Sequence, residues 1–182
     1  MDIINSPIPG CYVLQPDIHS DPRGSLVKTY NEKLYFLLGK NFEMVEEFFS
    51  ISKKNVIRGM HFQLPPHDHD KLVFCMNGAV LDIVLDLRVG NGYGKFSVIE
   101  LSEINRHILF IPKGVAHGFL AKSEEATMIY KTNALRLPEH ESGILWNSFG
   151  YEWGIRDPIL SERDQQLECL LKFNSPFVNL NN

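Results

Sequence analysis

The chain has 182 residues, of which 44% are apolar and 22% are charged, a composition typical of a folded protein rather than of a disordered chain. This length suits one domain, so we treat residues 1–182 as a single domain. The formal net charge of −4 argues against a protein that binds nucleic acid or a membrane surface, because such proteins usually carry a basic patch.

Cysteine usage and the N-terminal segment indicate a cytoplasmic protein. Cys11, Cys75 and Cys169 are widely spaced and form no Cys-x-x-Cys pair, so neither a disulfide framework nor a thiolate zinc site is indicated. The segment MDIINSPIPG has no basic start and no long apolar stretch, unlike a signal peptide. Asp82 and Asp86 interrupt the longest apolar-rich run, AVLDIVLDL, and we therefore expect no membrane span.

Short segments of β character dominate the chain, and Gly, Pro and Asn separate them. The predicted strands are, in chain order, 11–15, 25–30, 45–52, 56–63, 71–76, 79–88, 96–101, 107–111, 117–121 and 126–131. Many short, closely spaced strands predict a β-sandwich or a barrel. Short helices are predicted at 32–38 and after Ser161, a candidate N-cap that precedes an apolar stripe through Leu167, Leu170 and Leu171.

Asn77-Gly78 separates two predicted strands and is a strong signal for a two-residue hairpin turn. Such a hairpin would pair Met76 with Ala79, and Val73 with Asp82. Alternation would give one face Lys71, Val73, Cys75, Val80, Asp82, Val84 and Asp86, and the other Leu72, Phe74, Met76, Leu81, Ile83, Leu85 and Leu87. The second face is wholly apolar, whereas the first mixes charges with β-branched residues, as the lumen of a barrel that holds a polar ligand would.

Histidines mark the segments with the most chemical content: His61 in VIRGMHFQ, His67 and His69 in PPHDHDK, and His117 in IPKGVAHGF. A strand followed by Pro-x-Gly-x-x-His is similar to the pattern of cupin barrels. In metal-binding cupins a glutamate joins such histidines at the metal, but Lys71 stands at that position. An ammonium group would repel a divalent ion, so we predict no functional metal site.

A cation inside a barrel suits a different task, the stabilisation of an oxyanion that forms in a transition state. An enolate made by removing a proton next to a ketone is such an anion. Inversion at that carbon also needs a base on one face and an acid on the other, and histidine is the usual base because its pKa lies near neutrality.

Seven motifs in one order carry a resemblance to a known family: DPRG, VIRGMHFQLPP, KLVFCMNG, VLDIVLDLR, IPKGVAHGF, PEHESGILWN and PILSERD. With them the chain resembles the dTDP-4-dehydrorhamnose 3,5-epimerase family of cupins over about residues 3–170. The resemblance implies an all-β fold, a cupin-type β-sandwich or barrel (jelly roll) with a few short helices. It also implies an isomerase that needs no cofactor, acts on a nucleotide sugar and forms a homodimer.

The resemblance implies roles for matched residues. His61 would abstract the proton next to the ketone, Asp164 would orient His61, Tyr130 would be the acid on the opposite face, and Lys71 would stabilise the enolate. Arg23 and Arg58 would bind phosphate or sugar groups. The further substrate-binding positions are Gln63, His117, Glu141 and Arg163.

The chain departs from the family pattern at several positions that face the substrate. Lys28 replaces an acidic residue, EEFFS (46–50) replaces a QDNHS-like segment, and Leu135 and Arg136 replace two tyrosines, one of which stacks on thymine. We therefore hypothesise a CDP- or GDP-linked 4-keto sugar, with Arg136 stacking on the base or binding a phosphate.

Other interpretations of these residues remain open at this point. Asp164 could only cap the last helix. Asp82 and Asp86 could balance the charge of Lys71 or form ion pairs, or they could have a catalytic role. The segment that holds His67, His69 and Asp70 is interpreted as a solvated loop. A metal-dependent cupin enzyme and a non-catalytic cupin that binds a sugar nucleotide are the two alternative functions.

Overall fold

The computed structural model describes residues 1–31, 33–39 and 41–178. Its strands are β1 (Asp2–Ile8), β2 (Cys11–Gln15), β3 (Asp17–Asp21), β4 (Gly24–Lys28), β5 (Glu46–Lys53), β6 (Ile57–Gln63), β7 (Lys71–Asn77), β8 (Ala79–Asp86), β9 (Phe96–Ser102), β10 (Ile108–Ile111), β11 (Val115–Ala121), β12 (Glu125–Thr132) and β13 (Glu141–Gly143). Each predicted strand overlaps an observed one, and β1, β3 and β13 were missed.

Two antiparallel sheets form a β-sandwich, which confirms the all-β class. The larger sheet has the order β1-β2-β10-β7-β12-β5, and the smaller one has the order β13-β6-β11-β8-β9. Strands β3 and β4 form a separate two-stranded hairpin. Within the part of the chain that the structure describes, neither large sheet closes on itself, so the fold is an open sandwich rather than a closed barrel.

The hairpin predicted at Asn77-Gly78 is wrong. Strand β7 pairs with β10 and β12 in the larger sheet, whereas β8 pairs with β11 and β9 in the smaller one. The turn therefore carries the chain from one sheet to the other. Gly78 has a φ of +77°, and a Cβ atom there would lie 2.2 Å from the carbonyl oxygen of Glu125, so the crossover requires glycine.

The predicted alternation of side chains is correct although the pairing is not, because alternation is a property of each strand alone. Val73, Cys75, Val80 and Val84 belong to the core between the sheets. The opposite faces pack outward, with Leu72 in one outer cluster and Ile83, Leu85 and Leu87 in another. Met76 is an exception to the apolar packing, because 65% of its surface is exposed.

The helices are short. Helix α1 spans Lys33–Leu38, close to the predicted range 32–38, of which residue 32 lies outside the described residues. Helix α2 spans Glu162–Gln165, and the Ser161 side chain caps it by accepting a hydrogen bond from the Asp164 backbone N–H. No helix in the described ranges is long and apolar enough to cross a membrane.

The predicted continuation of α2 through Leu167, Leu170 and Leu171 is wrong. The helix ends before Glu168, whose carbonyl oxygen accepts a hydrogen bond from the Leu145 N–H at 2.8 Å. A single 3₁₀ turn follows at Leu170–Lys172, and Leu171 is 96% exposed.

Close packing of β6 against β11 gives a testable prediction about stability. A Cβ atom at Gly118 in β11 would lie 2.7 Å from Met60 Sδ and 2.8 Å from the carbonyl oxygen of Arg58. We expect Gly118→Ala to lower the free energy of unfolding by about 1–3 kcal/mol, because the added methyl group overpacks the core. Denaturant titration followed by circular dichroism measures this change.

The control is Ser97→Ala, which removes an atom from a half-buried position in the edge strand β9 of the same sheet. We expect it to change the free energy of unfolding by less than about 0.5 kcal/mol. Equal stabilities for the two variants would contradict the close approach of β6 and β11.

Candidate active site

A cavity of about 280 Å³ opens between the two sheets. Eight of the eleven residues predicted for the site line it: Arg58, His61, Gln63, Lys71, His117, Tyr130, Arg136 and Glu141. Strands β6 and β11 form one wall, and β5, β7 and β12 form the opposite wall. The sequence-based site is therefore largely brought together in one place.

His61 and Asp164 form a hydrogen-bonded pair beside the cavity. His61 Nε2 lies 2.7 Å from Asp164 Oδ1, and the Gly59 N–H donates to Asp164 Oδ2 at 3.2 Å. Burial alone would raise the pKa of Asp164, but its hydrogen bond with His61 and the charge of that ring hold the pKa below its usual value. Because Nε2 faces this carboxylate, the other ring nitrogen of His61 is the one available for proton transfer.

Lys71 begins β7 and directs its ammonium group to the cavity. Its Nζ donates a hydrogen bond to the carbonyl oxygen of His61 at 3.2 Å. Burial lowers the pKa of Lys71 to about 8, although the negative charges of Glu141 and Asp82 oppose this shift. The cation thus lies next to the backbone of His61 and titrates close to neutral pH.

Tyr130 lies on β12, in the sheet opposite to the one that carries His61. Its hydroxyl is 3.2 Å from Ser50 Oγ, and its ring stacks on Phe48 with the centroids 4.8 Å apart. Burial raises the pKa of Tyr130 well above its usual value, so the phenol keeps its proton. The His61 imidazole and a protonated phenol therefore face each other across the cavity.

His117 and Asp82 form a second buried pair, with Nε2 and Oδ2 2.8 Å apart. Burial raises the pKa of Asp82, and the neighbouring His117 opposes that rise. The other carboxylate oxygen, Oδ1, has no hydrogen-bond partner among the described residues. Asp82 is thus a partner of His117 rather than only a counter-charge for Lys71.

Two arginines and a glutamate form the rim of the cavity, Arg58, Arg136 and Glu141, and Arg163 lies outside this lining and contacts Glu141. Glu141 accepts two hydrogen bonds from Arg136, at 2.7 and 2.9 Å, and one from Arg163 at 2.7 Å. Burial would raise the pKa of Glu141, but these arginines lower it. Arg58 is fixed through Ser52 Oγ at 2.9 Å, so the rim is an ordered cationic frame.

Some expectations about positions need correction. Arg23 lies in the turn between β3 and β4, exposed and paired with Asp21, and does not line the cavity. For Asp86 the ion-pair alternative is confirmed, because it pairs with Arg88 at 2.7 Å.

The solvated-loop interpretation of residues 67–70 is wrong for two of them. Asp70 is only 6% exposed, because its carboxylate accepts the Lys113 N–H at 2.9 Å. His69 is half-buried and lines the cavity.

The sequence analysis missed several lining residues: Glu46, Phe48, Ser50, Phe62, Phe119 and Thr132. Glu46, Phe48 and Ser50 alternate along β5, so a period of two in the predicted strand 45–52 could have placed them on one face. In the described residues, no group of three or more His, Cys, Asp or Glu side chains is placed to hold a metal ion.

The chain is similar to known proteins over most of its length. The family model described as dTDP-4-dehydrorhamnose 3,5-epimerase matches residues 5–172. The chain is 38% identical to the dTDP-4-dehydrorhamnose 3,5-epimerase of Shigella flexneri, over 90% of this chain and 93% of that protein. It is 34% identical to the dTDP-4-dehydrorhamnose 3-epimerase of Streptomyces niveus, over 87% of this chain and 78% of that protein.

A solved structure supports the same relationship. The dTDP-6-deoxy-D-glucose-3,5-epimerase of Legionella pneumophila, in complex with dTDP-4-keto-L-rhamnose, superposes with a TM-score of 0.92. It is 32% identical, and the match covers 98% of each chain. The resemblance inferred from the seven motifs is confirmed, and the chain belongs to the dTDP-4-dehydrorhamnose 3,5-epimerase family.

Proposed function

We propose that the protein inverts carbon 3, carbon 5 or both in a nucleotide-linked 4-keto-6-deoxy sugar. Membership of an epimerase family supports a carbohydrate isomerase. The observation that carries the proposal is the placement of His61 and Tyr130 on opposite walls of one cavity, because inversion needs proton removal on one face and proton return on the other.

In the first step His61 accepts the proton from the carbon next to the ketone. The electron pair of the broken C–H bond moves to the ketone oxygen and forms an enolate. Asp164, ionised and 2.7 Å from the ring, stabilises the imidazolium that results. The Lys71 ammonium group stabilises the negative oxygen of the enolate.

In the second step Tyr130 donates its proton to the same carbon from the opposite face, and the ketone re-forms. The tyrosinate and the imidazolium then return to their starting states by exchange with solvent. The substrate ketone itself acidifies the C–H bond, so His61, Lys71 and Tyr130 supply the groups that this reaction requires.

The nucleotide is the second part of the proposal: we infer a CDP- or GDP-linked sugar. The changed positions Glu46, Phe48 and Arg136 line the cavity. The backbone N–H of Arg136 donates to Glu46 at 2.9 Å, which joins two of these positions. The relatives named above are enzymes of dTDP sugars, so dTDP is the reference against which this inference is tested.

Proton NMR in heavy water tests the reaction and the nucleotide together, with dTDP-, CDP- and GDP-linked 4-keto-6-deoxy sugars. We expect deuterium to enter next to the ketone for one nucleotide, and His61→Ala to lose at least about a hundredfold in rate because the base is absent. His19→Ala, which changes an exposed histidine of β3, is the control and keeps full exchange.

Tyr130→Phe separates the two steps in the same assay, because removal of the acid leaves His61 in place. We expect deuterium exchange with retention to exceed inversion in this variant. A preference for dTDP would overturn the nucleotide inference, and no exchange with any substrate would overturn the epimerase proposal.

The pKa of Lys71 gives a prediction about pH. Its ammonium form is present below a pH of about 8, so kcat/KM should fall as the pH rises through that value. Lys71→Arg keeps the charge and should remove this alkaline fall, since arginine stays protonated. Lys71→Met should lose roughly 10²- to 10³-fold below that pH, where Lys71 of the wild-type protein is charged, and progressively less above it.

The control for this series is Lys122→Met, which changes an exposed lysine after β11. It should keep the wild-type pH profile measured as initial rates. An alkaline fall that is unchanged in Lys71→Arg would show that another group causes it.

We also propose a cytoplasmic homodimer. Phe49 and Ile51 on the edge strand β5 are more than half exposed, which supports a surface that is covered by a second copy. Sedimentation equilibrium should give twice the chain mass, and a monomer at micromolar concentration would contradict the proposal.

A further inference from the structure

His69 lies in the segment before β7 and lines the cavity together with Lys71. The two residues are two positions apart, so an extended backbone directs both side chains to the same side. His69 was expected in a solvated loop, and neither the dyad of His61 and Asp164 nor the proton donor Tyr130 involves it. Its surroundings show which ring nitrogen carries the proton.

The Gln63 side chain fixes the state of the His69 ring. Gln63 Oε1 accepts the Leu137 N–H at 2.6 Å, and Gln63 Nε2 donates to the carbonyl oxygen of His67 at 2.8 Å. A backbone N–H can only donate and a carbonyl oxygen can only accept. These two contacts therefore define which end of the Gln63 amide is the NH₂ group. That NH₂ group lies 3.0 Å from His69 Nδ1 and 3.3 Å from the carbonyl oxygen of Leu135, so its two hydrogens serve the two nearer acceptors, His67 and His69.

An NH₂ group is a donor only, so Nδ1 of His69 accepts and the ring proton resides on Nε2. Burial and the nearby Lys71 ammonium lower the pKa of His69 to about 4, against the opposing effects of the His67 carbonyl, Asp70 and Glu141. The ring is therefore neutral at neutral pH. It has one N–H donor, which points away from Gln63 because the two nitrogens lie on different edges of the ring.

We propose that His69 is a substrate-contacting residue whose Nε2–H, held by Gln63, donates a hydrogen bond to a sugar oxygen next to Lys71. This inference rests on the proposed epimerase function. A neutral donor suits this position because a second positive charge would destabilise the Lys71 ammonium, whereas a hydroxyl or keto oxygen needs only an N–H group. A sugar that lacks the matching oxygen would leave this donor unpaired and would bind less well.

NMR of ¹⁵N-labelled protein tests the state of the ring without any substrate. The His69 signals are assigned by their loss in His69→Gln. We expect the Nε2–H tautomer between pH 6 and 8 with no titration, and Gln63→Leu, which removes the tether, to produce a mixture of tautomers. An Nδ1–H tautomer, or a ring that titrates in this range, overturns the proposal whatever reaction the protein catalyses.

Kinetics test the contact with the sugar. His69→Leu removes the donor and should lower kcat/KM for the preferred nucleotide sugar by roughly 5- to 30-fold. His69→Gln keeps a neutral N–H donor and should recover most of this loss. Binding of the matching nucleoside diphosphate, which has no sugar, should have the same Kd in all three proteins.

Three results would overturn the contact: an unchanged kcat/KM in His69→Leu, no recovery in His69→Gln, or an equal loss in nucleoside diphosphate affinity. An equal loss in nucleoside diphosphate affinity would mean that His69 contacts the nucleotide or maintains the shape of the cavity. If the wild-type protein exchanges no deuterium with any sugar, the proposed function fails and the proposed contact with the sugar fails with it. The NMR experiment still determines the tautomer of the His69 ring in that case.

Discussion

The hydrogen bond between His61 and Asp164 connects β6 to the C-terminal part of the chain. Helix α2 has only four residues, too few to be stable alone, so its position depends on the Ser161 cap and on the contacts of Asp164. The Gly59 N–H holds the second carboxylate oxygen. The ionised Asp164 side chain thereby orients the His61 ring, which we propose as the base. It also links the C-terminal part of the chain to the sandwich.

The topology explains how the proposed acid, Tyr130, and the proposed base, His61, come to face each other. His61 and His117 are ladder partners in the smaller sheet, and Tyr130 belongs to the larger one. Because the cavity lies between the sheets, groups on the two walls approach a ligand from opposite sides without any movement of the backbone. The proposed inversion needs one group on each face of the substrate carbon, and each of the two sheets provides one of these groups.

The sequence predicted the fold class and most of the site because the determining signals are local. Alternation within β7 and β8 identified the interior face, and the motif around His61 identified the cavity. The strand pairing of β7 and β8 could not be predicted from Asn77-Gly78, since a tight turn reverses the chain but does not determine which strands pair. The tautomer of His69 could not be predicted either, because Gln63, Leu137 and His67 come together only in the folded chain.

The single carboxylate of Glu141 shared by Arg136 and Arg163 has an electrostatic consequence. The whole chain carries a net charge of −4 and would repel an anionic ligand at long range, whereas the basic lining residues Arg58, Lys71 and Arg136 outnumber the acidic ones, Glu46 and Glu141. The field of these lining residues is therefore opposite in sign to that of the whole chain. Mobile ions screen such a field over about 8–10 Å, so the speed of encounter depends on ionic strength while the buried chemistry does not.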